Sequence, residues 1–185
     1  PAPGTLFQHA IGVSDDTPDL FCADLMANSY EKSDERLTRL AARTIGPAME
    51  WLADAAQVKW HVLDDFLYPG HTRHRMHAVP EKTGAALEAR LLAAVAEAEI
   101  ALVTEALAET LYVDEAGKAL AVGVSRPDGS VEVIACKTLI LACNGYGGNT
   151  DMVAEYIPEI AEGGYYGHAG NTGHEVVWGQ TLGAE

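Results

Sequence analysis

Apolar and polar positions along this chain change rhythm about half-way. In the first half apolar residues return at helical spacing. After Asp15-Asp16-Thr17-Pro18-Asp19, the residues Leu20, Phe21, Leu25 and Met26 fall on one helix face. Thr17 serves as N-cap, Pro18 suits the first helical position, and the aspartates suit the positive end of the helix dipole. Ser33, Asp34 and Glu35 open a second helix whose apolar positions are Leu37, Leu40, Ala41, Thr44, Ile45, Ala48 and Leu52. Gly46-Pro47 predicts a kink there, or a fresh start with Pro47 in the first turn. Thr83 caps a third helix from about Gly84 to Glu97, with Leu87, Leu91, Leu92 and Val95 inward. Residues 1–14 read as a loop packed down by Phe7, Ala10, Ile11 and Val13. Residues 58–80 read as short extended pieces and loops.

From residue 100 the rhythm becomes strand-like. Ile100 to Val103 is a short strand. Leu107 to Val113, Leu120 to Ser125 and Val131 to Ala135 are three more, joined by Asp114-Glu115-Ala116-Gly117 and Pro127-Asp128-Gly129-Ser130. Both connections are turn sequences, so residues 106–135 form an antiparallel meander. The run Thr138 to Cys143 is continuously apolar, which predicts a buried strand of parallel type beside the meander. Asn144-Gly145-Tyr146-Gly147-Gly148-Asn149 breaks it sharply. Thr150-Asp151 opens a short helix ending near Pro158, and a last helix runs from Glu175 to Leu182.

Composition narrows the possibilities. The chain has 185 residues, 48% apolar and 21% charged, an ordinary globular balance that sets aside disordered, collagen-like and coiled-coil readings. Twelve basic against 27 acidic residues give a net charge of −15. Such a chain repels phosphate backbones and anionic lipid, which argues against nucleic-acid and membrane partners. No apolar run reaches the length of a membrane span, and Pro1-Ala2-Pro3-Gly4 shows no secretory leader. Cys22, Cys136 and Cys143 are odd in number and lack close spacing, which fits a reducing compartment and a cytoplasmic location.

Three segments carry chemistry. A hydrophobic strand running into Ala142-Cys143-Asn144-Gly145 ends in small residues, so a large ligand can approach the backbone beyond the strand end. Gly167-His168-Ala169-Gly170-Asn171-Thr172-Gly173-His174 leads into a helix whose first N–H groups could face a ligand oxygen. The alternative for the first is a tight glycine turn with no ligand; the second, taken alone, reads more readily as an ordinary loop and N-cap. In His71-Thr72-Arg73-His74-Arg75-Met76-His77, three histidines and two arginines fall close together. No acidic or cysteine partner stands at metal-ligand distance, and Pro69-Gly70 and Pro80 oppose a helix. The segment therefore reads as a solvated or substrate-facing basic loop that attracts an anionic or carbonyl-bearing group, with no metal bound. The chain contains no G-x-G-x-x-G, no P-loop, no G-x-S-x-G and no C-x-x-C.

In order, these segments resemble the fumarate reductase and 3-ketosteroid dehydrogenase superfamily of FAD-dependent oxidoreductases. Gly4-Thr5-Leu6-Phe7-Gln8 through Val13 to Pro18 is similar to the family segment after the flavin-contacting glycine loop. Glu50-Trp51-Leu52 resembles a helix end before a short β-piece, and Thr83-Gly84 the start of the helix that returns under the flavin domain. Leu139 to Asn149 resembles the strand and A-T-G-G-F-x-x-N turn. Gly170-Asn171-Thr172-Gly173 with Leu182-Gly183-Ala184 resembles the N-T-G-D-G and L-G-A segment. The sequence departs from the family at Cys143-Asn144-Gly145, where T-G-G is expected, and at Thr172-Gly173-His174-Glu175, where T-G-D-G is expected.

The resemblance implies an α/β fold, α+β as an isolated fragment: part of a Rossmann-like FAD-binding domain with a β-meander and packed helices. It implies that residues 1–185 are one partial domain, with the dinucleotide βαβ unit before Pro1 and the capping domain after Glu185. It implies FAD as cofactor. Ala108 aligns with the position whose backbone meets the adenine ring; Ala142, Cys143, Asn144 and Gly145 align with the turn passing the FAD; and Thr172 and Gly173 align with the later cofactor loop. The loop around His77 would lie toward a small-molecule substrate, and no catalytic residue carries over. The implied reaction exchanges a hydride between the flavin and a carbon–carbon bond next to a carbonyl or carboxylate. The alternative from a different class is a non-catalytic acidic α/β binding module with the histidine loop as its interaction or metal site.

Overall fold

Side-chain caps start most of the helices. Thr17, Asp34 and Thr83 each accept the backbone N–H three residues on, from Leu20, Leu37 and Ala86. They open α2 (Pro18–Asn28), α3 (Glu35–Ala55) and α4 (Gly84–Glu97). The computed structural model describes residues 1–184, and these form two compact units, residues 1–102 and residues 103 onward.

In the first unit the opening residues are not all loop. Leu6–Ala10 form a short helix, α1, because Thr5 and Gln8 make a reciprocal capping box. α3 runs unbroken through Pro47. Arg43 and Pro47 both lie on its exposed side, so the Arg43 carbonyl that the missing Pro47 N–H leaves free is on the solvent-facing side of the helix. Gly46 lies against the N-terminal segment: a Cβ there would stand 2.7 Å from the Pro3 carbonyl oxygen. α2 and α3 pack on Phe21, Cys22 and Ala42, with Leu25, Met26 and Ile45 around them. β1 (His61–Val62) and β2 (His77–Ala78) make a minimal antiparallel pair. α4 has the expected bounds but buries none of its residues; Leu87, Leu91 and Val95 are half-buried and Leu92 is exposed.

The strand expected at Ile100 to Val103 does not form: these residues are exposed and belong to no strand, and the division between the two units falls within them. β3 (Leu107–Val113), β4 (Ala119–Ser125) and β5 (Val131–Ala135) form the meander in the order β3-β4-β5. The next expectation fails. Residues 138–143 form no strand, Ile140 is 83% exposed and Leu141 39%. A run apolar on both faces suits a strand with neighbours on each side, and among the described residues none pairs with it. α5 (Thr150–Tyr156), a 3₁₀ turn over Pro158–Ile160 and α6 (His174–Thr181) complete the unit. α6 starts one residue before the expected Glu175 and stops one before Leu182. Among the described residues, no helix is long and apolar enough to cross a membrane.

Candidate functional site: a glycine-lined loop cluster

In the second unit the chain brings two of the three chemistry-bearing segments together. The Gly148 N–H donates to the Asn171 carbonyl at 2.8 Å. Asn149 caps α5 by accepting from the Met152 N–H at 3.1 Å, while its Nδ2 donates to the Thr172 carbonyl at 3.1 Å. This approach demands glycine. At Gly148 a Cβ would stand 2.9 Å from the Ala169 carbonyl oxygen. At Gly173, whose φ is 79°, it would stand 2.6 Å from the Met152 sulfur and 2.7 Å from the Tyr146 Cβ. The Thr172 hydroxyl lies 2.9 Å from His174 Nδ1, and Asn171 Nδ2 donates to the Tyr165 hydroxyl at 2.6 Å.

Thr172 and Gly173 therefore sit beside the 144–149 turn. Ala142 and Cys143 are exposed and lead into Asn144 at φ 66° and Gly145 at φ 84°. Among the described residues, no backbone N–H from Lys137 to Gly147 donates to another backbone group. Ala108 stands elsewhere in the unit, on β3 opposite Val124 and next to a bulge. From the sequence, Asn149 and Asn171 stand in the quoted motifs with no role assigned to them, and Tyr165 is not singled out. Of these, Asn149 carried a signal, an Asn directly before a helix that opens Thr-Asp.

In the first unit, the histidine-arginine loop has a different environment from the one its composition implied. Arg75 is fully buried. Its Nε and Nη2 hold Asp16 through bonds of 2.7–3.0 Å, its Nη1 donates to Asp24, and its guanidinium lies 5.0 Å from the Phe21 ring centroid. Gln8 Nε2 joins Asp16 Oδ2 at 2.7 Å and the His74 carbonyl at 2.8 Å. Thr72 donates twice to Asp24. Arg73 is spent on Asp15 at 2.7 Å. The expected solvated, anion-attracting loop is thus corrected: both arginines neutralise aspartates from the start of the chain.

His77 is likewise engaged. Its Nδ1 faces the Arg75 carbonyl at 2.8 Å and so carries the proton; its Nε2 accepts from the Thr5 hydroxyl at 2.8 Å. Burial pushes the His77 pKa down, and burial with the Arg75 charge does the same to His71. For Asp24, burial works upward, but hydrogen bonds from Arg75 and Thr72 prevail and hold it below the usual carboxylate range. Among the described residues, no three His, Cys, Asp or Glu side chains are grouped so as to hold a metal ion.

The sequence profile of the FAD binding domain family matches residues 2–185, virtually the whole chain. The chain belongs to that family. It is 26% identical over 187 residues to the probable fumarate reductase Ifc3 of Shewanella frigidimarina (strain NCIMB 400), covering 99% of this chain and 31% of that protein. Among solved structures it resembles the open conformation of a flavocytochrome c3 fumarate reductase, with a TM-score of 0.88 at 24% identity, over 100% of this chain and 32% of that one. It also resembles the 3-ketosteroid-Δ4-(5α)-dehydrogenase of Rhodococcus jostii RHA1 in complex with 4-androstene-3,17-dione, with a TM-score of 0.80 at 18% identity, over 100% of this chain and 44% of that one. At these identities the two structures speak for fold: an α/β FAD-binding fragment of helices and antiparallel sheets. The chain spans about a third of the length of the curated relative.

FAD is the cofactor of an FAD binding domain, and the residues present suit one wall of its site. Ala142, Cys143 and Gly145 put little bulk between solvent and the backbone, and the N–H groups beside them are free of backbone partners. A Cβ on Gly145 would meet nothing within 4 Å, so a flat ligand can lie directly on this stretch.

Proposed function

We propose that this chain is one wall of the cofactor cleft in a flavin-dependent oxidoreductase acting on a small-molecule carbon–carbon bond next to a carbonyl or carboxylate. The family match across residues 2–185 carries this reading, joined to the exposed small-residue turn at 142–145. Bound flavin supplies hydride exchange at its N5, and the protein's share is binding and orientation. Ala142 to Gly145 offer the flat, unhindered backbone, with unpaired N–H groups that can donate to ligand oxygens. Asn149 ties that turn to Thr172, so Thr172 and Gly173 are held at the same edge. Ala108, on β3, is the proposed contact for the adenine end.

On this reading residues 1–185 form part of a larger FAD domain. A pyrophosphate is usually seated on a helix N-terminus after a glycine turn, with an acid on the ribose. The dinucleotide glycine pattern is not within these residues. Each missing contact of about 1.4 kcal/mol weakens binding tenfold. Calorimetric titration tests the proposal. The whole protein should take up one FAD and show a flavin spectrum that bleaches anaerobically with a substrate. Residues 1–185 alone should bind FAD weakly and show no dehydrogenation with an artificial acceptor. A whole protein that takes up no flavin would refute the reading, and sub-micromolar binding by residues 1–185 would refute the division of the site.

A further inference from the structure

The turn that follows residues 138–143 carries a reactive pair, Asn144-Gly145, at the place where the sequence departs from T-G-G. An asparagine before a glycine is open to attack by the next backbone nitrogen, because glycine puts no Cβ beside that nitrogen. The chain has four asparagines, at 28, 144, 149 and 171, and of these Asn144 alone precedes a glycine.

The structure separates Asn144 from the other three again. Asn28 Nδ2 donates to the Asp24 and Gly70 carbonyls at 2.8 and 2.9 Å. Asn149 caps α5 and holds Thr172, and Asn171 holds the Tyr165 hydroxyl. Two of the attacking N–H groups are also engaged, Ser29 on the Leu25 carbonyl at 3.0 Å and Thr172 on the Gly170 carbonyl at 2.9 Å. Asn144 is exposed, and among the described residues neither its side chain nor the Gly145 N–H has a hydrogen-bond partner. A Cβ on Gly145 would meet nothing within 4 Å, so a ring can close there without displacing a neighbour. The acidic counterpart, Asp128-Gly129, is held in place. Its Gly129 N–H donates to the Arg126 carbonyl at 2.9 Å, and Asp128 Oδ1 accepts from the Ser130 N–H and hydroxyl.

We propose that Asn144-Gly145 is a site of spontaneous covalent modification, where the flavin-free protein converts Asn144 to isoaspartate and aspartate and bound FAD shields the pair. The shielding rests on the cofactor-wall reading; the conversion rests on the geometry of the turn alone. The Gly145 nitrogen bonds to Asn144 Cγ, the Cγ–Nδ2 bond breaks, and Nδ2 leaves as ammonia with the Gly145 N–H proton. The cyclic imide then takes up one water. Opening at Cγ gives aspartate, and opening at the main-chain carbonyl gives isoaspartate, with the backbone rerouted through the side chain. Nothing is oxidised or reduced, and either product carries a new carboxylate. Residues 138–185 contain no lysine or arginine to pair with it, so it repels an anionic dinucleotide lying on this turn.

The test incubates the whole protein, flavin-free and FAD-saturated, for days in warm, mildly alkaline buffer, followed by peptide mass mapping. In the flavin-free sample the peptide containing Asn144 should gain about 1 Da, with isoaspartate resolved by fragmentation. Asn28, Asn149 and Asn171 should convert at least about tenfold more slowly, since their amides must first break hydrogen bonds. Saturating FAD should slow Asn144 by at least about tenfold. Asn144→Gly, which suits the positive φ of 66°, should show no gain in that peptide. Asn144→Asp should bind FAD at least about tenfold more weakly than Asn144→Gly. Asn144 left intact in the folded flavin-free protein, but converted in urea, would overturn the proposal. So would conversion of all four asparagines at one rate. Equal conversion with and without FAD, or equal FAD affinity of the two variants, would leave the modification standing and refute the cofactor-wall reading.

Discussion

Replacing Arg75 with methionine removes a fully buried guanidinium and leaves two carboxylates behind. Asp16 is 4% exposed, and the Asp24 side chain is 10% exposed. In the native unit Arg75 gives Asp16 three hydrogen bonds and Asp24 one. Breaking a buried ion pair from one side costs about 3–5 kcal/mol, because the surviving charge stays desolvated. That is a large share of the roughly 5–15 kcal/mol that holds a domain folded. Urea unfolding followed by far-ultraviolet circular dichroism reads the loss directly. Arg73→Met is the matched control, since its partner Asp15 is largely solvated and the loss there should be far smaller. Adding Asp16→Asn to Arg75→Met should recover part of the loss by neutralising one orphaned charge. If Arg75→Met costs no more than Arg73→Met, the network is not the desolvated centre described here.

Acidification should weaken the first unit in two stages. His71 and His77 are depressed below 6.5, so the unfolded chain takes protons first and stability falls as pH drops below that value. Asp24 is depressed below 3.8, so its contribution is present above that value and is lost as pH falls through it. Urea midpoints across pH should show both declines, and a flat profile from 7 to 5 would contradict the histidine assignment. Gly145→Ala, at φ 84° with open space around it, should cost about 1–2 kcal/mol. Gly173→Ala meets the same backbone penalty plus the Met152 and Tyr146 clash, so thermal melts should place it about 1–3 kcal/mol lower still. Asn149→Ala should lose about 2 kcal/mol, from the cap and the Thr172 bond together, whereas Asn149→Asp keeps the cap and should lose about half of that.

What the sequence determined by itself is local. Thr17, Asp34 and Thr83 cap their helices through N–H groups three residues away, so each start was legible in a window of a few letters. The meander was legible for the same reason, since Asp114-Glu115-Ala116-Gly117 and Pro127-Asp128-Gly129-Ser130 close hairpins between strands that pair with their neighbours in sequence. The ordered motifs at 139–149 and 170–173 pointed to FAD through their resemblance to a flavoprotein superfamily, and the family match over residues 2–185 agrees. Tertiary structure decided the rest. Residues 138–143 have the apolar content of a buried strand, but a strand exists only with a partner, and none of the described residues supplies one. The histidine-arginine loop read as solvated because its own neighbours are polar; Arg75 is buried because Asp16 and Asp24, 59 and 51 residues away, bring charge and hydrogen bonds that offset its desolvation. The meeting of Gly148 with Asn171, and of Asn149 with Thr172, is of the same kind, a contact between segments more than twenty residues apart that no local pattern encodes.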